Sequence, residues 1–168
     1  MKQLPLALIL PGLLALLMAA PTSAHAQPGE TNASPSWWKG NLHTHSFWSD
    51  GDDFPEMITD WYQQRGYHFL AISDHNVLQE GEKWLAIGTN TVRLRALEKY
   101  RERFGARWVR TRTSGGKIEV RLSPLAEYRV LFEQPGRFLL ISSEEISDEF
   151  EKRPVHLNAS NLLKPIAP

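Results

Sequence analysis

Cysteine is absent from all 168 residues. That excludes disulfides, thiolate zinc sites and a lipidated N-terminal cysteine, so any metal must be held by His, Asp and Glu. A surplus of charge is also missing: 19 Lys and Arg stand against 19 Asp and Glu. This balance removes the electrostatic case for a nucleic-acid or anionic-membrane partner. The chain has no Walker loop, no dinucleotide-binding glycine fingerprint, no Ser-His-Asp or Cys-His arrangement and no internal repeat. Its length fits one domain.

The N-terminus reads as a targeting segment. Met1-Lys2 gives a positive start, Leu4 to Ala20 is almost wholly apolar, and Ser23-Ala24-His25-Ala26 offers small residues before Gln27. This is the layout of a secretory signal peptide spanning 1–26, and it predicts an exported protein, periplasmic or secreted. A membrane anchor would need about 20 uninterrupted apolar residues, whereas Pro5, Pro11 and Gly12 break this run. No membrane association is therefore expected after cleavage. Residues 27–36, rich in Pro, Gly, Asn and Ser, read as a flexible leader, and 37–168 as the folded part.

The folded part centres on Asn41-Leu42-His43-Thr44-His45-Ser46-Phe47-Trp48-Ser49-Asp50-Gly51. Trp37 to Leu42 leads into a short strand. Residues i and i+2 of a strand share a face, so His43 and His45 are expected to point at one spot. Asp50 follows five residues later, and Gly51 lets the backbone turn that carboxylate back. Two neutral nitrogen ligands and one hard oxygen ligand make half of a divalent-metal site.

Asp53-Phe54-Pro55-Glu56 has capping-box spacing with Pro near the first helical position. A helix is predicted from about Pro55 to Arg65, burying Met57, Ile58, Trp61 and Tyr62, with Gly66 just past its end. Tyr67 to Ser73 reads as a buried strand. Together these form a βαβ unit, which implies a parallel sheet. The second strand ends in Ser73-Asp74-His75-Asn76. Functional groups collect at the C-terminal ends of parallel strands, so His75 joins His43 and His45 at one rim. Asp74 is expected to orient an imidazole. His68 lies at the opposite end of its strand and reads as an ordinary histidine.

Val77 to Asn90 looks irregular, with Trp84, Leu85 and Ile87 in a short helix. Thr91 to Phe104 is predicted helical, with Leu94, Leu97, Tyr100 and Phe104 on one stripe and Gly105 as terminator. The basic residues from Arg93 to Arg112 are interleaved with acids or strand-like sequence and read as a solvated face, so no stable nucleic-acid partner is expected. Arg107 to Arg112, Ser114-Gly115-Gly116 and Lys117 to Leu122 have the form of a β-hairpin. Ser123-Pro124 reads as N-cap and N1 of a helix to about Glu133, with Leu125, Tyr128 and Phe132 inward. Phe138 to Ser142 is a third buried strand, ending in Glu144-Glu145, and a carboxylate at that rim can bridge two metals. Pro154 to Ala159 is a short strand carrying His156.

The succession H-T-H-S-F-W-S-D-G, S-D-H-N, E-E-I-S and V-H-L-N-A resembles the PHP (polymerase and histidinol phosphatase) domain family, from about Gly40 to Ala159. The resemblance implies an α/β fold, here the N-terminal part of a distorted TIM-like barrel of parallel strands with a β-hairpin insert. It implies two or three Zn, Mn or Fe ions at the strand ends. His43, His45 and Glu145 would hold the first, Asp50 and His75 the second, and Glu145 and His156 a third. Glu144 is the alternative neighbour to Glu145. The implied activity is hydrolysis of a small-molecule or oligonucleotide phosphoester by metal-bound hydroxide, with no dedicated side-chain base. Family members carry a further histidine and a D-x-H later in the chain, and no counterpart follows His156. An inactive metal-binding fragment or pseudo-enzyme is therefore the alternative, and a hydrolase of non-phosphate substrates a third. The open barrel edge implies self-association.

Overall fold

The computed structural model describes residues 37–168, so the signal peptide and leader expected at 1–36 lie outside the described residues. The folded part opens with a βαβ unit. Strand β1 (Gly40–Asn41) pairs in parallel with β2 (Phe69–Ile72), and helix α1 (Pro55–Gln64) crosses between them. Gly40 is required by packing, because a Cβ there would stand 2.0 Å from the ring of its partner Phe69.

Helix α1 starts with Pro55 at its first position and ends before Gly66, whose φ of 69° suits a residue without Cβ. The expected capping box does not form. Phe54 is the N-cap and makes no side-chain capping bond. The Glu56 carboxylate instead accepts from the Tyr100 hydroxyl (2.6 Å) and from Trp108 Nε1 (2.8 Å). The buried face is correspondingly polar: Glu56, Thr59 and Asp60 are buried, whereas Trp61, predicted inward, is exposed.

Strand β6 (Leu139–Phe150) does two jobs. Its first four residues pair in parallel with β2, and Ser143 onward pairs antiparallel with β7 (Arg153–Ser160). The resulting sheet has the order β1-β2-β6-β7. The expectation of parallel strands fails at the last pair. A two-residue turn, Glu151-Lys152 with φ of 49° and 63°, joins β6 to β7, and so short a link connects only antiparallel neighbours.

A second sheet, order β3-β5-β4, is antiparallel throughout. The expected hairpin is β4 (Thr111–Ser114) and β5 (Lys117–Leu122), joined by Gly115-Gly116, both at positive φ. The short helix expected around Trp84 is instead β3 (Lys83–Ala86), which pairs along β5. Helix α2 (Thr91–Trp108) breaks at Gly105, non-helical at φ 75° and ψ 163° as its terminating role requires, with a further turn beyond it, and Leu94 lies exposed instead of on the buried stripe. Helix α3 (Leu125–Phe132) begins one residue later than expected. Pro124 is its N-cap, without a side-chain capping bond, and Gln79 O takes the Leu125 N–H.

Two apolar clusters form the core. Phe47, Trp48, Phe54, Leu97, Tyr100, Val120 and Leu122 join the insert sheet and α2 to the loop after β1. Leu70, Ile72, Tyr128, Phe132, Phe138 and Leu140 pack the parallel strands against α3. No helix of the described residues is long and apolar enough to cross a membrane.

Candidate metal centre

Strand β1 ends at Asn41, so His43 and His45 lie on an extended segment beyond the strand rather than on it. One bond ties this segment back to β1 and another holds it beside the end of β2. The Asn41 amide donates to His43 O (3.0 Å), and Ser73 N donates to Thr44 O (2.9 Å). A turn follows, in which Ser49 N and Gly51 N both donate to Ser46 O at 3.0 Å. Gly51 is needed for close approach, since a Cβ there would stand 2.5 Å from the backbone of His45. The turn returns Asp50 to His45, with Oδ1 2.8 Å from Nδ1.

The other half of the site comes from β2 and the β6–β7 hairpin. His75 forms an isolated parallel bridge with Glu145 just beyond the β2–β6 ladder. Asn76 fixes this junction from a left-handed conformation, φ 51°: its side chain accepts from Ser147 N (2.7 Å) and donates to Ser147 O (2.9 Å). Ser147 stands opposite His156 in the antiparallel ladder, two residues from Glu145. Alternation along β6 therefore puts Glu145, Ser147 and His156 on one face. His156 Nδ1 is 2.8 Å from Glu145 Oε1.

Six residues converge as a result. Ring centroids step from His43 to His45 at 5.0 Å, to His75 at 4.4 Å and to His156 at 5.2 Å. Three overlapping groups each bring their ligand atoms within 4.8 Å of one another and could hold a metal ion: His43, His45 and Glu145; His45, Asp50 and His75; His75, Glu145 and His156. Glu144 points elsewhere, being buried with its Oε1 accepting from Ile166 N. His68 also stays apart, accepting from Lys39 N at the opposite end of β2.

The site is fitted for a cation. His45 Nε2 and Glu145 Oε2 are buried and stand 2.7 Å apart without a well-formed hydrogen bond, and His75 Nδ1 lies 3.2 Å from the same oxygen. A buried polar atom without such a bond is costly, and here two ligand atoms share the same deficit. Ligand atoms each about 2.0–2.2 Å from one ion lie about 3 Å apart at a right angle, so one cation satisfies both. The pair, imidazole and carboxylate, offers ligand atoms of the kind that divalent metals take.

The neighbours also set the ring protons. Ser73 Oγ is 2.8 Å from His43 Nδ1 and Ser147 Oγ 2.6 Å from His75 Nδ1. With Asp50 on His45 Nδ1, three rings have Nδ1 engaged; the Asp50 carboxylate calls for a proton on His45 Nδ1, which leaves Nε2 as that ring's ligand atom, while the serine hydroxyls can donate or accept. Burial works to raise the carboxyls of Glu145 and Asp50, but the imidazoles outweigh it. His156, His75 and His45 hold Glu145 below the ordinary range, and His45 and His75 do the same for Asp50.

Asp74 makes no bond to an imidazole, contrary to its expected direct role. Its carboxylate is fully buried and is taken up by Ser46, Ser49 and Gln79. The imidazole partners are serines, Ser73 and Ser147. Both sit inside the S-D-H-N and E-E-I-S strings, yet hydroxyls carry no metal-ligand signal, so pattern reading assigns them nothing.

No protein-family model, curated protein or solved structure matches the chain.

Proposed function

We propose that this chain holds divalent metal ions for the hydrolysis of phosphate esters, in the manner of a PHP-type phosphoesterase. The observation that carries the reading is the facing pair of buried ligand atoms, His45 Nε2 and Glu145 Oε2, inside a cluster of four imidazoles and two carboxylates. On this reading the β1-β2-β6 sheet is the first part of a TIM-like barrel, and the rim is its working end.

His43, His45 and Glu145 would hold one ion, Asp50 and His75 a second, and Glu145 with His156 a third. Bound divalent ions supply Lewis acidity, neutralising phosphoryl charge and acidifying water near neutral pH. The protein's own groups do the rest. Ser73, Ser147 and Asp50 keep Nδ1 of three rings occupied, so that Nε2 faces the ions. Glu145, held below the ordinary carboxylate range, brings negative charge that binds cations. Asp50 and His43 are exposed, which leaves that side open to a small-molecule or oligonucleotide phosphoester. Export fits the N-terminal sequence. Exposed Val155 and Leu157 on the edge strand β7 favour self-association.

One observation favours a second reading, metal binding without turnover. The three groups share His45, His75 and Glu145. A carboxylate bridges two ions readily, but each ring has a single free nitrogen, so six residues do not fully supply three ions.

Metal analysis of the full chain, with p-nitrophenyl phosphate hydrolysis on it and on His43→Ala, separates these readings. Bound metal and turnover, both lost in His43→Ala, are expected. Metal without turnover leaves the second reading. A chain that takes up no Zn, Mn or Fe refutes both.

A further inference from the structure

Asp74 is the most heavily engaged buried carboxylate beside the rim, and it ligates nothing. Four donors converge on it: Ser46 N at 2.8 Å and Ser49 Oγ at 2.6 Å on Oδ1, Ser46 Oγ at 2.7 Å and Gln79 Nε2 at 2.8 Å on Oδ2. Its carbonyl accepts from Glu145 N at 3.0 Å, and His75 is its chain neighbour. One residue thus contacts three of the four ligand-bearing segments: the 43–50 loop through its side chain, β6 through its carbonyl and His75 through the peptide bond, with β7 and its His156 reached only through β6.

We propose that Asp74 is the positioning residue of the rim, fixing His45 and Asp50 against His75 and Glu145 by clamping the Ser46–Ser49 turn. The proposal rests on the metal-holding reading above. Its physical basis is the demand for a carboxylate. An amide at this place accepts on one oxygen only and turns an NH2 group toward the Ser46 hydroxyl and the Gln79 amide, which already donate there. Charge-assisted bonds are also about twice as strong as neutral ones, and the site is dry, so they are weakly screened. The clamp has a backstop: Gln79 Oε1 accepts from the Tyr128 hydroxyl on α3. Burial pushes the Tyr128 phenol well above its ordinary range, which keeps that proton available.

The rest of the turn is held mainly through Ser46, Phe47 and Trp48: Ser49 N and Gly51 N donate to Ser46 O, Phe47 N donates to Asp53 O (2.9 Å), Lys83 Nζ donates to Trp48 O, and both aromatic rings are buried. Trp48 N donates to Ser46 Oγ (3.1 Å), and Trp48 Nε1 donates to Ser123 O (3.2 Å). These bonds anchor Trp48 without fixing Asp50. Ser49 is the neighbour of Asp50, and its single hydroxyl proton goes to Asp74 at 2.6 Å rather than to Asp50 at 3.3 Å. Loss of the Asp74 carboxylate therefore releases the Ser49 side chain and loosens the setting of Asp50 against His45.

The test uses the full chain and its Asp74→Asn, Ser49→Ala and Ser49→Thr variants. Co2+ affinity is measured by titration, and the histidine ring protons by 1H–15N NMR on metal-free protein. Asp74→Asn is expected to weaken Co2+ binding by about 10–100-fold, the range for groups that orient metal ligands. Ser49→Ala is expected to weaken it less, and Ser49→Thr, which keeps the hydroxyl, to restore it. In NMR, His45 of the unaltered chain carries its proton on Nδ1, and the two weakened variants show a mixture of tautomers. Should Asp74→Asn fail to fold, the Ser49 pair decides alone. Lower thermal stability with unchanged Co2+ affinity and an unchanged His45 tautomer would make Asp74 merely structural and overturn the proposal. If the unaltered chain binds no Co2+, the metal reading fails by itself, and the ring signals still decide the clamp.

Discussion

The histidine rim and the joint between α1 and α2 are each built around a buried glutamate with one oxygen that makes no well-formed hydrogen bond, Glu145 in the first and Glu56 in the second. Their surroundings differ. Glu145 is ringed by His45, His75 and His156, which outweigh burial and hold it below the ordinary range. Glu56 lies among aromatic residues, taking bonds from Tyr100 and Trp108, while Phe54 stacks on Tyr100 at 4.2 Å. There burial dominates and raises the carboxyl. Such an oxygen therefore has two meanings. Among imidazoles it invites a cation, and among aromatic rings it invites a proton.

The comparison breaks most visibly at Phe54. Its ring is fully buried, stacked on Tyr100 and edge-on to Phe47. Phe54→Ala is expected to lower unfolding stability by about 3–5 kcal/mol, measured by urea denaturation, while the folded fraction keeps its metal affinity. His43→Ala should do the reverse. A Phe54→Ala protein that loses metal at full stability would merge the two regions into one.

Glu56 sharpens the contrast through pH. A raised folded-state pKa means the native protein binds a proton more tightly than the unfolded chain. That contribution is fully present below the unfolded value of 4.5 and is lost as pH rises toward the folded value. Relative to Glu56→Gln, the unaltered chain is expected to be similarly stable below 4.5. It should then lose up to about 1.4 kcal/mol per pH unit above it. Parallel stability curves for the two proteins would show that Glu56 stays ionised in its aromatic setting.

Much of this was legible in the chain itself, and the exceptions share a cause. The βαβ unit follows from local pattern: Pro55 at a helix start, Gly66 past its end and an apolar run to Ile72. The Gly115-Gly116 hairpin is equally local; His43, His45, Asp50 and His75 follow from spacing and strand ends, whereas the choice of Glu145 over Glu144 and the role of His156 rest on the family resemblance. What failed depended on distant partners. Lys83 to Ala86 has no alternation of its own and is a strand because β5, more than thirty residues on, pairs with it. Glu56 abandons its capping role because Tyr100 and Trp108 reach it from 44 and 52 residues away. Asp74 passes over the adjacent imidazole because Ser46 and Ser49, 28 and 25 residues earlier, donate to it. The antiparallel β7 hung on a turn, Glu151-Lys152, whose left-handed backbone carries no glycine or asparagine to announce it.

A third carboxylate, neither in the rim nor in the joint, calibrates the other two. Glu127 in the first turn of α3 takes both nitrogens of Arg121 at 2.6 Å, and this hydrogen-bonded pairing holds its carboxyl below the ordinary range. Here the sign is opposite to that of Glu56. The stability is present above the unfolded pKa of 4.5 and is lost as pH falls through the lower folded value. The side chain is 42% exposed, so water and salt screen the pair, and Glu127→Gln is expected to cost only about 0.2–1 kcal/mol at neutral pH. That difference should vanish in acid and shrink in 1 M salt, where the screening length is about 3 Å. The Glu56→Gln difference, lying in a dry interior, should persist in the same salt. If salt erased both alike, Glu56 would be in contact with water, and the distinction between an oxygen waiting for a proton and one waiting for a cation would lose its footing.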